Sequence, residues 1–331
     1  MAPEFTLPSR RRPRTTEHQP IFTPASARTA DDLRAAKQDW SEKLLPRVGR
    51  DISSARAVMA PISPAPEVNV VGVGIGEKLV DDKATGVRAL KFLVRSKYPE
   101  TQMSAAHLLP KSVDGLPTDV EEVGLFRRFV TKRPPRKPAA RPAPAAAPPM
   151  PDPRQRFRPA QPGCSVGFQD PAGQFLMAGT FGALAKDDNA LYVLSNNHVL
   201  ADEGRLPLGS PIYQPGLLDN GNPATDQIAA LTRFIPLQAG VMNRVDCAIA
   251  KPLKTSLVSR NILFIGPPQG VGPAAIDMVV HKVGRTTGYR AGRVTSVDTD
   301  VTVQYETGAF TFESQIIIVG LNGQSFSDAG D

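Results

Sequence analysis

From Gly163 onward the chain is a succession of short alternating apolar segments cut by turn residues, with no helical period lasting more than a turn or two. Strands are expected at 175–185, 191–194, 211–213, 227–234 and 245–250. After a gap, more follow at 278–283, 292–297, 301–305 and 310–319. The gap divides them into two groups, as two small antiparallel barrels would, the first over about 163–260 and the second, incomplete, over about 261–331. The 27 glycines and 33 prolines, with only 6% aromatics, suit many turns and not a helix bundle.

The first half reads differently. Residues 1–28 are polar, Pro-rich and aperiodic, and are expected to be disordered. A helical segment covers 29–60. Its helix, 29–45, can be capped by Thr29 or Ser26, has Asp31 and Asp32 near its positive end, and carries Leu33, Ala36, Trp40 and Leu44 on one stripe. Pro46 ends it, and Trp40 reads as packing. A small α+β domain is expected over 66–130, with strands at 68–76 and 89–94 around a turn, a short helix at 104–109 and a third strand at 120–129. His107 on that helix reads as structural.

Gly72, Gly74 and Gly76 do not make a nucleotide loop. Glu77 stands where a dinucleotide fingerprint continues toward its third glycine, so close backbone packing is the expected use. Residues 131–162 form a Pro/Ala-rich basic linker, since eleven of the 33 prolines lie between 133 and 162.

That linker also accounts for the charge. Lys132, Arg133, Arg136, Lys137, Arg141, Arg154, Arg156 and Arg158 stand against a single acid, Asp152, which equals the whole formal excess of +7. No folded face need be basic, so no nucleic-acid or membrane partner is expected. A nucleic-acid factor acting through the spacer is the minor alternative. Cys164 and Cys247 cannot build a disulfide framework and lack metal-ligand spacing; no cofactor or metal is expected. With no apolar export segment after Met1 and no membrane-length apolar run, a cytoplasmic location is expected.

Three stretches carry chemistry: Asn196-Asn197-His198-Val199 at a strand end, Val245-Asp246-Cys247-Ala248-Ile249 opening an apolar strand, and the terminal Ser327-Asp328-Ala329-Gly330-Asp331. Asp226, in a loop before a strand, is the competing carboxylate to Asp246. Cys247 should point away from its neighbour's face and be buried. His281 and Arg285 read as structural, and Gly284, Thr286, Thr287 and Gly288 as shaping a substrate-side loop.

The order His, Asp, Gly-Asp over two barrels resembles the chymotrypsin-type (trypsin-like) serine peptidases. "SNNHVL" is similar to the histidine box of the HtrA/Deg branch and "DCAIA" to its aspartate box. With "KVGRTTGYRAGRV" and "FSDAGD", the chain looks closer to the plant narrow-leaf peptidases and their bacterial relatives; "VVGVGIGEK" and "GLPTDVEEVG" are also similar to bacterial members. The resemblance covers roughly residues 66–331.

It implies a serine endopeptidase acting on protein or peptide substrates, with His198 as general base, Asp246 as its orienting carboxylate and the Gly330 amide as an oxyanion donor. The family's nucleophile follows Gly-Asp directly. The serine is thus expected just past Asp331, the chain is read as a piece of a longer peptidase, and this piece is expected to be inactive. A degenerate peptidase fold serving as a scaffold or protein-binding module is the alternative.

Overall fold

The structure, a computed structural model, describes residues 24–45, 63–81, 83–128, 131–133 and 150–331. Residues 1–23, the Pro46 stop and the 134–149 part of the expected linker lie outside them.

Helix α1 (Pro24–Leu44) begins five residues earlier than the pattern suggests, with Pro24 at a position where its missing N–H costs nothing. Its expected stripe is its buried face. Leu33, Ala36 and Leu44 pack with Val70, Val73, Leu90 and Phe92, and Trp40 meets Phe92 edge-on at 5.3 Å between centroids. Burying each such side chain contributes about 1.5–3 kcal/mol. A single turn, α2 (Pro66–Asn69), then leads into strand β1 (Val70–Val80), which forms an antiparallel hairpin with β2 (Lys83–Val94).

Residues 104–109 make only a 3₁₀ turn, Ala105–His107. The expected third strand is divided between β4 (Leu116–Glu122), which follows the short β3 (Ser112–Val113), and β5 (Phe126–Arg127). β4 lies parallel to β2.

The first eight-stranded sheet is ordered β6-β8-β7-β11-β12-β14-β10-β9. Its strands are β6 (Thr131–Arg133), β7 (Ser165–Phe168), β8 (Leu176–Thr180), β9 (Ala183–Lys186), β10 (Leu191–Ser195), β11 (Pro211–Tyr213), β12 (Gln227–Phe234) and β14 (Ala248–Pro252). The segment expected as one strand at 175–185 bends at Phe181-Gly182. Its first part pairs with β7 and its second with β10, so the sheet curls back on itself around Phe168, Met177, Phe181, Ile212, Ile228 and Leu231.

Two six-stranded antiparallel barrels are not reproduced as such. The second sheet holds β13 (Met242–Asn243), β15 (Val279–Gly284), β16 (Gly288–Tyr305) and β17 (Gly308–Gly320), together with β1 to β5. β16 is a single long strand where two were expected. Between the two expected spans the chain makes a local irregularity, with φ 47° at Asp298 and register shifts on both sides of Thr299, instead of a reversal.

The N-terminal unit is therefore not self-contained. β1 pairs with β16 at Gly72↔Val301, Val73↔Asp300, Ile75↔Val297 and Gly76↔Ser296. The glycines serve close approach: a Cβ on Gly74 would collide with Thr299 Oγ1 and lie 2.7 Å from Ser296 Oγ. Those two hydroxyls bond each other at 2.7 Å, and Ser296 Oγ donates to Ile75 O at 2.9 Å. Lys37 of α1 adds a buried ion pair to Asp300 at 2.6 Å.

The end of the expected linker is also docked. Arg156 Nε and Arg158 Nη2 reach Asp226 at 2.7 and 3.1 Å, and Gln214 Oε1 accepts from the Phe157 amide at 2.8 Å. These arginines read as solvated because the sequence conceals their partner, a carboxylate about 70 positions on.

Candidate active site

Antiparallel pairing brings the first two motifs together. β10 and β14 are neighbours with Ser195 opposite Ala248, so the residues just after one strand meet those just before the other. Asn196 ends β10, and Asn197–Leu200 forms a one-turn helix, α3, with all four residues buried. Asn197 Nδ2 donates to Ile235 O at 2.8 Å, while Asn196 Nδ2 donates to Asp246 O at 3.0 Å, tying the two strand ends together.

Within that frame His198 Nδ1 contacts Asp246 Oδ2, and the His198 amide donates to Oδ1 at 3.3 Å. Among the described residues His198 Nε2 has no hydrogen-bond partner, and His198 lines a cavity of about 460 Å³ together with Asp246, Ser327, Asp328 and Asp331. Both side chains are about nine-tenths buried.

Burial is the largest influence on Asp246 and acts to raise its pKa. The hydrogen bond and charge of His198, the Tyr305 hydroxyl and the His198 amide outweigh it and hold the carboxyl below its ordinary value.

Asp246 lies in the connection before β14, not within the strand as the pattern suggests. Cys247 is consequently not governed by strand alternation. It is half-buried and lines the same cavity, with its thiol pKa raised by burial and then by the Asp246 charge. The competing carboxylate, Asp226, is engaged by Arg156, Arg158 and the Asn222 amide, and its contacts do not include His198.

The terminal loop is anchored through Asp331. Its carboxylate accepts from the Thr286 and Thr287 amides at 2.8 and 3.0 Å, from Thr287 Oγ1 at 2.6 Å and from the Asp328 amide at 2.9 Å. Lys282 Nζ completes the cage at 2.5 Å. Burial pushes the Asp331 pKa up, but these donors together bring it below the ordinary value. A Cβ on Gly284 would collide with this carboxylate, so the glycine gives it room.

Gly330 has φ 90°, its carbonyl accepts from Thr180 Oγ1 at 2.8 Å, and its N–H has no partner among the described residues. Thr286 and Thr287, expected to shape a loop, thus hold the residue beside Gly330. Arg285 grips Asp219 through Nε and Nη2 at 2.6 and 2.5 Å, and His281 stacks on Tyr289. One contributor escaped the sequence reading. Tyr305 Oη donates to Asp246 Oδ2 at 2.9 Å from the end of β16, where strand alternation gave no sign of it.

No protein-family model and no curated protein matches the chain. Solved structures do resemble about half of it. A glutamic-acid-specific serine protease that uses a histidine triad in substrate binding is 16% identical, with a TM-score of 0.32 over 50% of this chain and 76% of its own. Protease A of Thermobifida fusca is 16% identical, with a TM-score of 0.32 over 51% and 74%. The Nocardiopsis protease is 14% identical, with a TM-score of 0.33 over 51% and 75%.

Proposed function

We propose that this chain supplies the base, the orienting carboxylate and one oxyanion donor of a serine endopeptidase, hydrolysing peptide bonds in protein or peptide substrates. The observation carrying the reading is the His198–Asp246 contact through Nδ1, which leaves Nε2 free for a second partner, on a residue that lines one cavity with Ser327, Asp328 and Asp331.

A serine hydroxyl is a poor nucleophile near neutral pH and reacts when a neighbouring base removes its proton. His198 Nε2 takes that proton as the hydroxyl oxygen attacks the peptide carbonyl, then returns it to the departing amine. Water repeats the sequence to release the acid. Asp246 holds the proton on Nδ1, which keeps Nε2 basic, and stabilises the imidazolium formed in the transition state. The unpaired Gly330 N–H donates to the oxyanion, and the caged Asp331 keeps that amide in place. The nucleophile is the serine expected directly after Asp331.

The test uses the chain extended through that residue and a fluorophosphonate probe. Labelling that is lost in His198→Ala and in the serine→Ala variant supports the reading. A folded, extended chain that is never labelled would leave the scaffold alternative standing.

A further inference from the structure

Asp246 Oδ2 accepts two donors: His198 Nδ1 and, at 2.9 Å, the Tyr305 hydroxyl. With the His198 amide on Oδ1, three donors fix the plane of the carboxylate. We propose that Tyr305 is a positioning residue for the His198–Asp246 pair and that the N-terminal unit acts on the site by holding it. The proposal rests on the peptidase reading for its consequence in catalysis, but not for the chemistry it asserts.

Tyr305 is placed with unusual redundancy. Tyr305 is 7% exposed, and its ring packs edge-on against Phe310 at 5.4 Å and against His198 at 6.0 Å. Val71 and Leu93 of the N-terminal hairpin belong to the same buried cluster, and β5 pairs alongside at Val303 and Gln304.

The turn just past the ring is pinned as well. The Glu203 carboxylate accepts from the Glu306 and Thr307 amides at 3.3 and 3.2 Å, and Arg128 of the N-terminal unit pairs with Glu203 at 2.8 Å. A residue serving only to fill space needs no such aim at one carboxylate oxygen.

The chemistry follows from the donor. Burial and then the Asp246 charge raise the phenol pKa, so the hydroxyl stays protonated and donates. A donor on Oδ2 stabilises the carboxylate, making it a weaker base toward the imidazole. The Tyr305 hydroxyl thereby sets how strongly Asp246 holds the Nδ1 proton of His198.

The experiment is the NMR titration of His198 in this 331-residue chain, comparing wild type with Tyr305→Phe, which keeps the ring. The other charged groups on the cavity, Arg127, Arg128, Arg244, Asp328 and Asp331, are the same in both. Loss of the donor is expected to raise the His198 pKa by about 0.5–1 unit, the equivalent of one hydrogen bond. An unchanged or lowered value overturns the proposal. Site-specific 3-fluorotyrosine at 305, a stronger donor of nearly the same shape, should move it the opposite way even if Tyr305→Phe folds poorly; no movement again overturns it. Because the readout is the imidazole itself, an extended chain that fails to react with fluorophosphonate leaves the outcome intact.

Discussion

Asp246 meets His198 twice, once through the imidazole Nδ1 and once through the backbone amide at 3.3 Å, so one carboxylate sets both the ring and the turn that carries it. The pairing of β10 with β14 supplies this geometry before any catalytic demand enters.

Asp246→Asn should therefore change the tautomer while leaving the fold intact. In a chain carrying the serine, kcat is expected to fall by about 10³-fold or more. In the present chain the low-field Nδ1 proton should disappear from the NMR spectrum while the circular dichroism is retained. Persistence of that proton would contradict the contact.

The protein should lose stability in acid. Asp246 and Asp331 have folded pKa values below ordinary ones, so the stability they contribute is complete above the unfolded value, near pH 4, and is lost as pH falls through the folded values. Urea midpoints measured between pH 6 and pH 2.5 should decline in that window. Asp331→Asn should flatten the decline.

Gly284→Ala tests the Asp331 cage. The new methyl overlaps the carboxylate, and relief requires the loop at 328–331 to shift. Overpacking of this kind costs about 1–3 kcal/mol. Denaturant unfolding would register the loss, and limited proteolysis should cut near 328 sooner than in wild type.

Lys37→Met tests the seam between α1 and β16. It leaves Asp300, whose side chain is 5% exposed, and the neighbouring Asp298 without their cation. Breaking a buried pair from one side costs about 3–5 kcal/mol. Adding Asp300→Asn should recover part of that, measured as a coupling energy in a double-mutant cycle. Additive losses would count against the pair.

Gly74→Val tests the shared sheet itself. A branched side chain at this point meets Ser296 and Thr299 and should part β1 from β16. Hydrogen exchange at residues 296–301 should speed up markedly. Equal protection in both proteins would mean that the two strands are not joined.

Much of the molecule is legible locally. The strands 211–213 and 227–234 fall where alternation puts them, and the α1 stripe is the face that packs. The candidate histidine sits past a strand end because asparagine side chains find partners more readily outside a ladder, as Asn196 and Asn197 do. Elsewhere local signals misled. Two strands are expected at 292–297 and 301–305, yet pairing with β1 on one side and β17 on the other carries a single strand past an irregularity at Asp298. Arg156 and Arg158 read as solvated, yet Asp226 claims them.

What the sequence determined by itself is which residues alternate, where the chain turns, and that a histidine, an aspartate and a Gly-Asp loop occur in that order. Those are properties of neighbours, governed by side-chain period and backbone preference. Only the tertiary structure decided that β1 completes a sheet with β16, that Asp331 is caged by Lys282 and two threonines, and that Tyr305 reaches Asp246 across 59 positions. The physical reason is that an unpaired strand edge or a buried carboxylate is satisfied by whichever group burial brings within reach, and no local pattern in the chain records that choice.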